Sequence, residues 1–275
     1  MSVWYPDFYP RFRCKAGACR HSCCRGWEID VDDDSAACYR ALPGPLGEDL
    51  RAALREDAEG WHFALDAEER CPFLRPDGLC RVIAELGEDA LCDICALHPR
   101  FFQEIGEDEL WGLGLSCEAA TELLLTAPEL RFSCDETGEE TDLPGLLQRL
   151  GLNAPADALR YRPAIDERRR RALLEHFAVT EPIDDRWPRE LETLAKAPLP
   201  ERVDGARYQR IYEYLLFRQI QRARELGWER IAAYAGLCAD LIALWDAAAP
   251  DTAEHVRRLS EQIEYSTENV DILMG

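Results

Sequence analysis

The sequence predicts a mainly α protein in two parts, a cysteine-rich metal- or cluster-binding N-terminal part with short helices and little strand, followed by a helical C-terminal domain. Three observations carry this. Eleven of the twelve cysteines lie at or before Cys134. From Leu146 onward apolar residues recur at three- and four-residue steps, the period of a helix with one buried face. Strand signals are weak throughout, with Leu110 to Leu115 reading as one short strand.

Trp4 to about Leu130 interleaves cysteines with aromatic residues and short helical patterns, and Pro43 to Gly47 marks a joint within it. The run DETGEETD, Asp135 to Asp142, is acidic, carries a glycine and has no apolar period, so it reads as a loop with a domain boundary near Leu143. The expected domains are therefore 1–142 and 143–275. In the second, Tyr208, Ile211, Tyr212, Leu215 and Leu216 form one apolar stripe, and Ile231, Tyr234, Cys238, Leu241, Ile242 and Trp245 form another. Joints fall at Ala197 to Pro200 and at Gly227. A last helix is expected through Val256, Leu259 and Ile263, capped by Asp251 or Thr252 just after Pro250 and packed back on the preceding pair. Glu261, Glu264 and Glu268, with Tyr265 beside them, read as a solvated carboxylate face of the last helix, and Arg168 to Arg171 as a solvated helix end.

At 275 residues the chain can bury a core without covalent staples. Lys plus Arg number 32 against 53 Asp plus Glu, a net charge of -21, which argues against a phosphate-binding surface and hence against nucleic acid as a partner. The opening MSVWYPDFYP lacks the basic and apolar regions of a secretory signal. No stretch reads as the roughly 18 apolar residues of a membrane span. A cytoplasmic protein is expected, and in that compartment thiols stay reduced, so twelve cysteines point to thiolate ligation rather than disulfides.

Cys14, Cys19, Cys23 and Cys24 lie in CKAGACRHSCCRGW, within the reach of one loop, and Gly17 and Gly26 give that loop its backbone freedom. Adjacent side chains of an extended backbone point to opposite sides, so Cys23 and Cys24 share a metal only across a turn, or else serve different centres. The second group is Cys71, Cys80, Cys92, Cys95 and Cys117. The nine-residue step from Cys71 to Cys80 is not a zinc-finger spacing. Zinc and a cubane iron–sulfur cluster each take four thiolates, so residue count does not separate them. One four-ligand centre would leave spare thiols, a second centre or a redox pair. Cys38, Cys134 and Cys238 read as small core residues. His21 and His98 read as hydrogen-bonded or exposed residues beside ligand candidates.

The runs FRCKAGACRHSCCRGWEIDVD, CPFLRPDGLCRV, ELGEDALCDICALHPR, LGLSCEAA and SEQIEYSTENVDIL together resemble the flagellin lysine-N-methylases, which are similar in turn to the zinc- or iron-chelating CxxCxxCC proteins. The likeness touches both ends of the chain. It implies an iron–sulfur cluster, of the [4Fe-4S] kind, with Cys14, Cys19, Cys23, Cys24, Cys71, Cys80, Cys95 and Cys117 matching the recurring cysteines and Cys92 standing as an extra. It also implies methyl transfer to flagellin lysines, with S-adenosylmethionine as donor. The opening spacing here, C-x4-C-x3-CC, is looser than the broader signature.

The residues alone add little to the methyl-transfer expectation. No strand, glycine-rich turn and helix with a following acidic residue is found, and Gly112-Leu113-Gly114 reads as a local turn. No CxxxCxxC radical motif is present. A lysine amine must lose its proton before attacking a methyl group, and no residue of the sequence is nominated as its base. A non-enzymatic cluster carrier and a thiol redox enzyme using Cys92 with Cys95 are the other readings of so many thiols.

Overall fold

The computed structural model describes residues 2–163, 165–201 and 203–275. The chain forms two compact units, Met1–Phe12 with Pro99–Gly275, and Arg13–His98. This division differs from the boundary expected near Leu143. Segments on both sides of that residue, among them Trp4, Leu110, Leu124, Phe132, Leu146 and Leu215, share one hydrophobic core. Leu143 begins a short helix, Leu143–Arg149, capped by Asp142, whose Oδ1 accepts from Gly145 N at 2.9 Å. The acidic run marks a surface turn, not the end of a core.

The larger unit is built on a five-stranded sheet in the order Arg100–Ile105, Asp108–Leu113, Val3–Pro6, Phe132–Cys134, Glu140–Thr141. Strand content thus exceeds the expectation. The Leu110 to Leu115 signal corresponds to Asp108–Leu113, which forms a hairpin with Arg100–Ile105 across Gly106, held at φ +69°. Val3–Pro6 runs parallel to Asp108–Leu113, with Trp4 opposite Leu110, and antiparallel to Phe132–Cys134, with Trp4 opposite Cys134. Parallel neighbours need a long crossover, and the whole of Arg13–His98 is inserted within this one.

Helices supply the rest of this unit. Gly205–Arg218 is capped by Asp204, which accepts from Arg207 N at 3.2 Å, and its stripe Tyr208, Ile211, Tyr212, Leu215 and Leu216 is buried as expected. Trp228–Ala248 is apolar nearly all round, which suits a helix at the centre of a core. It is the single described helix long and apolar enough to cross a membrane, a property the sequence reading missed, and 67% of its apolar window is buried inside the protein. Its Asp240 is buried, accepting from Tyr161 Oη and Arg169 Nε at 2.8 Å each. Arg170 donates to Ala197 O, so only Arg168 and Arg171 of that basic run behave as a solvated end.

The expected last helix is broken into pieces. Thr252–Leu259, capped by Asp251, leads into one π-helical turn, Ser260–Glu264, and a separate helix, Thr267–Met274, follows Ser266, whose Oγ accepts from Asn269 N at 3.1 Å. Thr252–Leu259 packs on Trp228–Ala248 and on Glu118–Thr126. The π turn inserts an extra residue into the helical register, so side chains beyond it leave the face that a 3.6 period assigns them.

The smaller unit holds a three-stranded antiparallel sheet, Asp30–Val31, Trp61–Phe63 and Leu54–Glu56, with Trp61–Phe63 in the middle. Four helices accompany it: Asp33–Ala41, Gly44–Ala53, Arg81–Leu86 and Asp93–Leu97. Its core is small, built on Val31, Tyr39, Leu50, Phe63, Phe73 and Val82, and two thiols, Cys71 and Cys92, belong to it.

Candidate functional site

In the smaller unit the cysteine motifs are brought together by backbone pairing. Gly26, at φ +86°, turns the chain so that Gly26 N donates to Glu69 O and Cys71 N to Cys24 O, each at 2.9 Å, laying Cys24 beside Cys71. The run CPFLRPDGLC then folds back on itself: Arg75 N donates to Leu79 O, Leu74 bridges Cys80, and Gly78 holds the turn at φ +77°. That fold returns Cys80 to Cys71. The loop CKAGAC lies against this turn. A methyl group on Gly17 would stand 2.5 Å from Asp77 O, and one on Gly78 would stand 2.8 Å from Gly17 Cα, so the approach requires glycine at both positions. Cys92 precedes Asp93–Leu97, and Cys95 N donates to Cys92 O at 3.0 Å.

The thiols sense one another. Burial pushes Cys71 up to about 12, with Cys24, Cys80 and Cys92 adding to the rise. Burial likewise raises Cys80, helped by Cys24 and Cys92. A hydrogen bond from the Cys95 thiol lowers Cys92 and raises Cys95 itself, which also feels Cys24 and Cys71. Cys24 is lowered to about 7 by the neighbouring Cys23 thiol, against its own burial.

Five thiols, Cys24, Cys71, Cys80, Cys92 and Cys95, lie in or against the small core of this unit. Four were expected as ligands, and Cys92, left outside the expected set, joins them. Its signal was the C-x-x-C step to Cys95 ahead of a helix. Cys23 adjoins the group but is exposed, Cys14 is exposed and accepts from Ala16 N, and Cys19 is half-buried on the same loop. Cys117 belongs to the other unit, where it precedes the helix Glu118–Thr126. Cys134 and Cys238 are core residues as read, whereas Cys38 is exposed.

The twelve cysteines are all free thiols. In kind, the gathered donors fit a thiophilic metal or cluster. In placement, no group of three or more Cys, His, Asp or Glu among the described residues stands close enough to hold a metal ion. His98, read as hydrogen-bonded or exposed, instead has a buried Nε2 with no partner, its ring 5.2 Å from Trp27. Burial lowers it to about 4. A hollow of about 480 Å³ in this unit is acidic, with Glu28, Asp30, Asp32, Asp57 and Glu59 around Trp61.

A second polar cluster lies in the larger unit. Arg218, the last residue of its helix, stacks 4.7 Å over Phe101 and pairs with Glu264 of the π turn. The Glu264 side chain is only 2% exposed, and Arg218 15%. Each keeps one buried atom without a hydrogen-bond partner, Arg218 Nη1 and Glu264 Oε2, and near them the buried Tyr234 Oη of the central helix meets the Cys238 thiol. Burial lowers the guanidinium's affinity for its proton, but Glu264, with Tyr214 and Tyr234, outweighs it, and Arg218 is raised. Burial, Cys238 and Glu264 hold the Tyr234 phenol well above its ordinary range.

Sequence segments far apart meet here. Leu113 N and O both bond Tyr214 Oη, Gly114 faces Arg218, and Ser116 Oγ lies 3.1 Å from Tyr265 Oη. LGLSCEAA and SEQIEYSTENVDIL, two runs on which the resemblance rests, thus converge on Arg218. The carboxylates read as one solvated face divide three ways: Glu261 binds Arg257 and Arg258, Glu264 is buried, and only Glu268 is exposed.

Among curated proteins, the chain is 31% identical over 143 residues to a protein named Lysine-N-methylase from Salmonella typhimurium, covering 50% of this chain and 36% of that protein. It is 30% identical over 143 residues to the Lysine-N-methylase of Salmonella choleraesuis, with the same coverage. It is 30% identical over 135 residues to the Flagellar biosynthetic protein FliU of Salmonella muenchen, covering 47% of this chain and 80% of that protein. The matched stretch spans little more than a third of the two lysine-N-methylases. No family model and no solved structure matches the chain.

Proposed function

The chain belongs to the flagellin lysine-N-methylase family, and from that premise we propose that it transfers a methyl group from S-adenosylmethionine to lysine side chains of flagellin, as a cytoplasmic protein carrying a cysteine-ligated iron–sulfur cluster. The observation that carries the reading is the similarity to two proteins named Lysine-N-methylase. In the transfer, the neutral lysine Nζ attacks the sulfonium methyl carbon. A C–N bond forms, the C–S bond breaks with its electron pair going to sulfur, S-adenosylhomocysteine leaves, and the methylated ammonium gives up a proton to solvent or a base. A lysine with an ordinary pKa of about 10.4 is nearly all protonated at neutral pH, so it must be deprotonated or desolvated first.

Cys24, Cys71, Cys80, Cys92 and Cys95 are the residues that would hold the cluster, with Cys14, Cys19 and Cys23 on the adjoining loop. When bound, it would tie together four chain segments of a unit whose apolar core is small. The first test is anaerobic purification with iron, zinc and sulfide analysis. Iron and sulfide near four per chain are expected for one cubane, and stoichiometric zinc without sulfide would refute it. The second is mass spectrometry of flagellin incubated with the protein and S-adenosylmethionine, where methylated lysine is expected and its persistent absence would overturn the activity. A non-enzymatic cluster carrier is the second reading, favoured by the gathered thiols; rapid cluster transfer to an apo acceptor without methylation would establish it.

A further inference from the structure

The ion pair Arg218–Glu264 is only partly satisfied. Each member makes one bond to the other and keeps one buried polar atom uncommitted, and the Tyr234 hydroxyl, shared only with the Cys238 thiol, lies near them. Asp7 Oδ1, His98 Nε2 and Arg210 Nε are also buried without a hydrogen-bond partner among the described residues, but here both members of one ion pair each keep such an atom. They lie where the runs LGLSC and QIEYS meet. The residues around the pair are less buried than it is: Gly114, Ser116 and Cys117 are half-buried, and Tyr265 is 42% exposed. Gly114 lies beside Arg218, and a methyl group there would stand in ordinary contact with Nη1, at 3.9 Å.

The atoms left over define the ligand's chemistry. Arg218 Nη1 is a cationic donor, Glu264 Oε2 an anionic acceptor, and Tyr234 Oη serves as either. A simple anion would satisfy the arginine and meet repulsion from the carboxylate. A simple cation would do the reverse. A group that carries a carboxylate and an ammonium on one carbon satisfies both with charge-assisted bonds and adds no net charge to a buried place.

We infer that the Arg218–Glu264–Tyr234 cluster binds the α-amino-acid group of a small zwitterionic ligand, its carboxylate on Arg218 Nη1 and its ammonium on Glu264 Oε2. The inference rests on the methylase reading in one respect, that the ligand is then the methionyl end of S-adenosylmethionine. The π turn is what makes the site: it places Glu264 against Arg218 while Glu261, one turn earlier, stays with Arg257 and Arg258.

Calorimetric titration of the full chain, purified anaerobically, tests this with two probes that differ only in the group at issue. S-adenosylhomocysteine carries the amino-acid group; 5′-methylthioadenosine keeps the nucleoside and thioether without it. Glu264→Gln and Arg218→Lys are expected to weaken S-adenosylhomocysteine by roughly tenfold or more while changing methylthioadenosine by less than about twofold. Tyr234→Phe, which keeps the buried ring, is expected to weaken the first probe a few-fold, and it stands in where the charge variants fold poorly by circular dichroism. Equal losses for both probes, or undiminished binding of S-adenosylhomocysteine, overturns the site, as would a single bridging water being all that the cluster holds. Binding of free L-methionine that depends on Arg218 and Glu264, without binding of S-adenosylhomocysteine, keeps the zwitterion site and removes the donor. Intact binding with no methylated flagellin refutes the methylase reading alone.

Discussion

Arg257 and Arg258 are 2% and 4% exposed, and each has more than one carboxylate: Glu254 and Glu261 for the first, Glu190, Asp184 and Glu261 for the second. Redundant pairing predicts that Glu261→Gln costs only about 1–2 kcal/mol in denaturant unfolding at neutral pH, because both cations keep partners. Burial alone would raise Glu261, but Arg257 and Arg258 hold its carboxyl below the ordinary range. A depressed folded-state pKa stabilises the protein above the unfolded value, near 4.3, and that stability is lost as pH falls through the folded value. Stability measured from pH 7 down to 3 should therefore drop more steeply in the native protein than in Glu261→Gln; parallel curves would refute the assignment. Glu264 is the contrasting case, having one partner. Glu264→Ala leaves Arg218 an uncompensated buried charge, and a loss of about 3–5 kcal/mol is expected in the same measurement. Neither difference was legible in the sequence, where both glutamates stood on one carboxylate stripe.

At the scale of elements, the hairpin from Cys71 to Cys80 and the loop from Cys14 to Cys19 depend on the contact between Gly17 and Gly78. A side chain at Gly78 meets both a positive φ and the Gly17 backbone, so Gly78→Ala is expected to destabilise by about 1–3 kcal/mol and to lower iron and sulfide per chain in anaerobic preparations. Unchanged loading would separate this turn from the metal site. Cys92→Ser should lower loading as much as Cys95→Ser, while Cys38→Ser should leave it alone. The helical elements were readable in advance, since the apolar residues of Tyr208 to Leu216 and Ile231 to Trp245 recur at three- and four-residue steps and that regularity is written locally. The sheet was not: its pairing of Trp4 with Leu110 joins residues more than a hundred positions apart, and the strands are too short to show alternation.

For the whole molecule, the two compact units predict two responses to loss of the proposed cluster. Chelation under reducing conditions should raise hydrogen exchange across residues 13–98, where the apolar core is small and the thiols gather. The Trp228–Ala248 helix, buried in the larger core, should remain protected. Uniform loss of protection would mean that the cluster, if present, supports both cores alike.

By itself the sequence determined the helical character of the second half, the concentration of cysteines in the first, and the family, because periodicity, composition and motif spacing are properties of neighbours along the chain. Only the tertiary structure decided the rest. It ran the larger core through Leu143, drew Cys92 in among the thiols and left Cys117 in the other unit. It also turned Glu264 from a supposed surface carboxylate into the buried partner of Arg218. Each of these depends on contacts between residues distant in sequence, or on one extra residue in a π turn, and no local pattern encodes either.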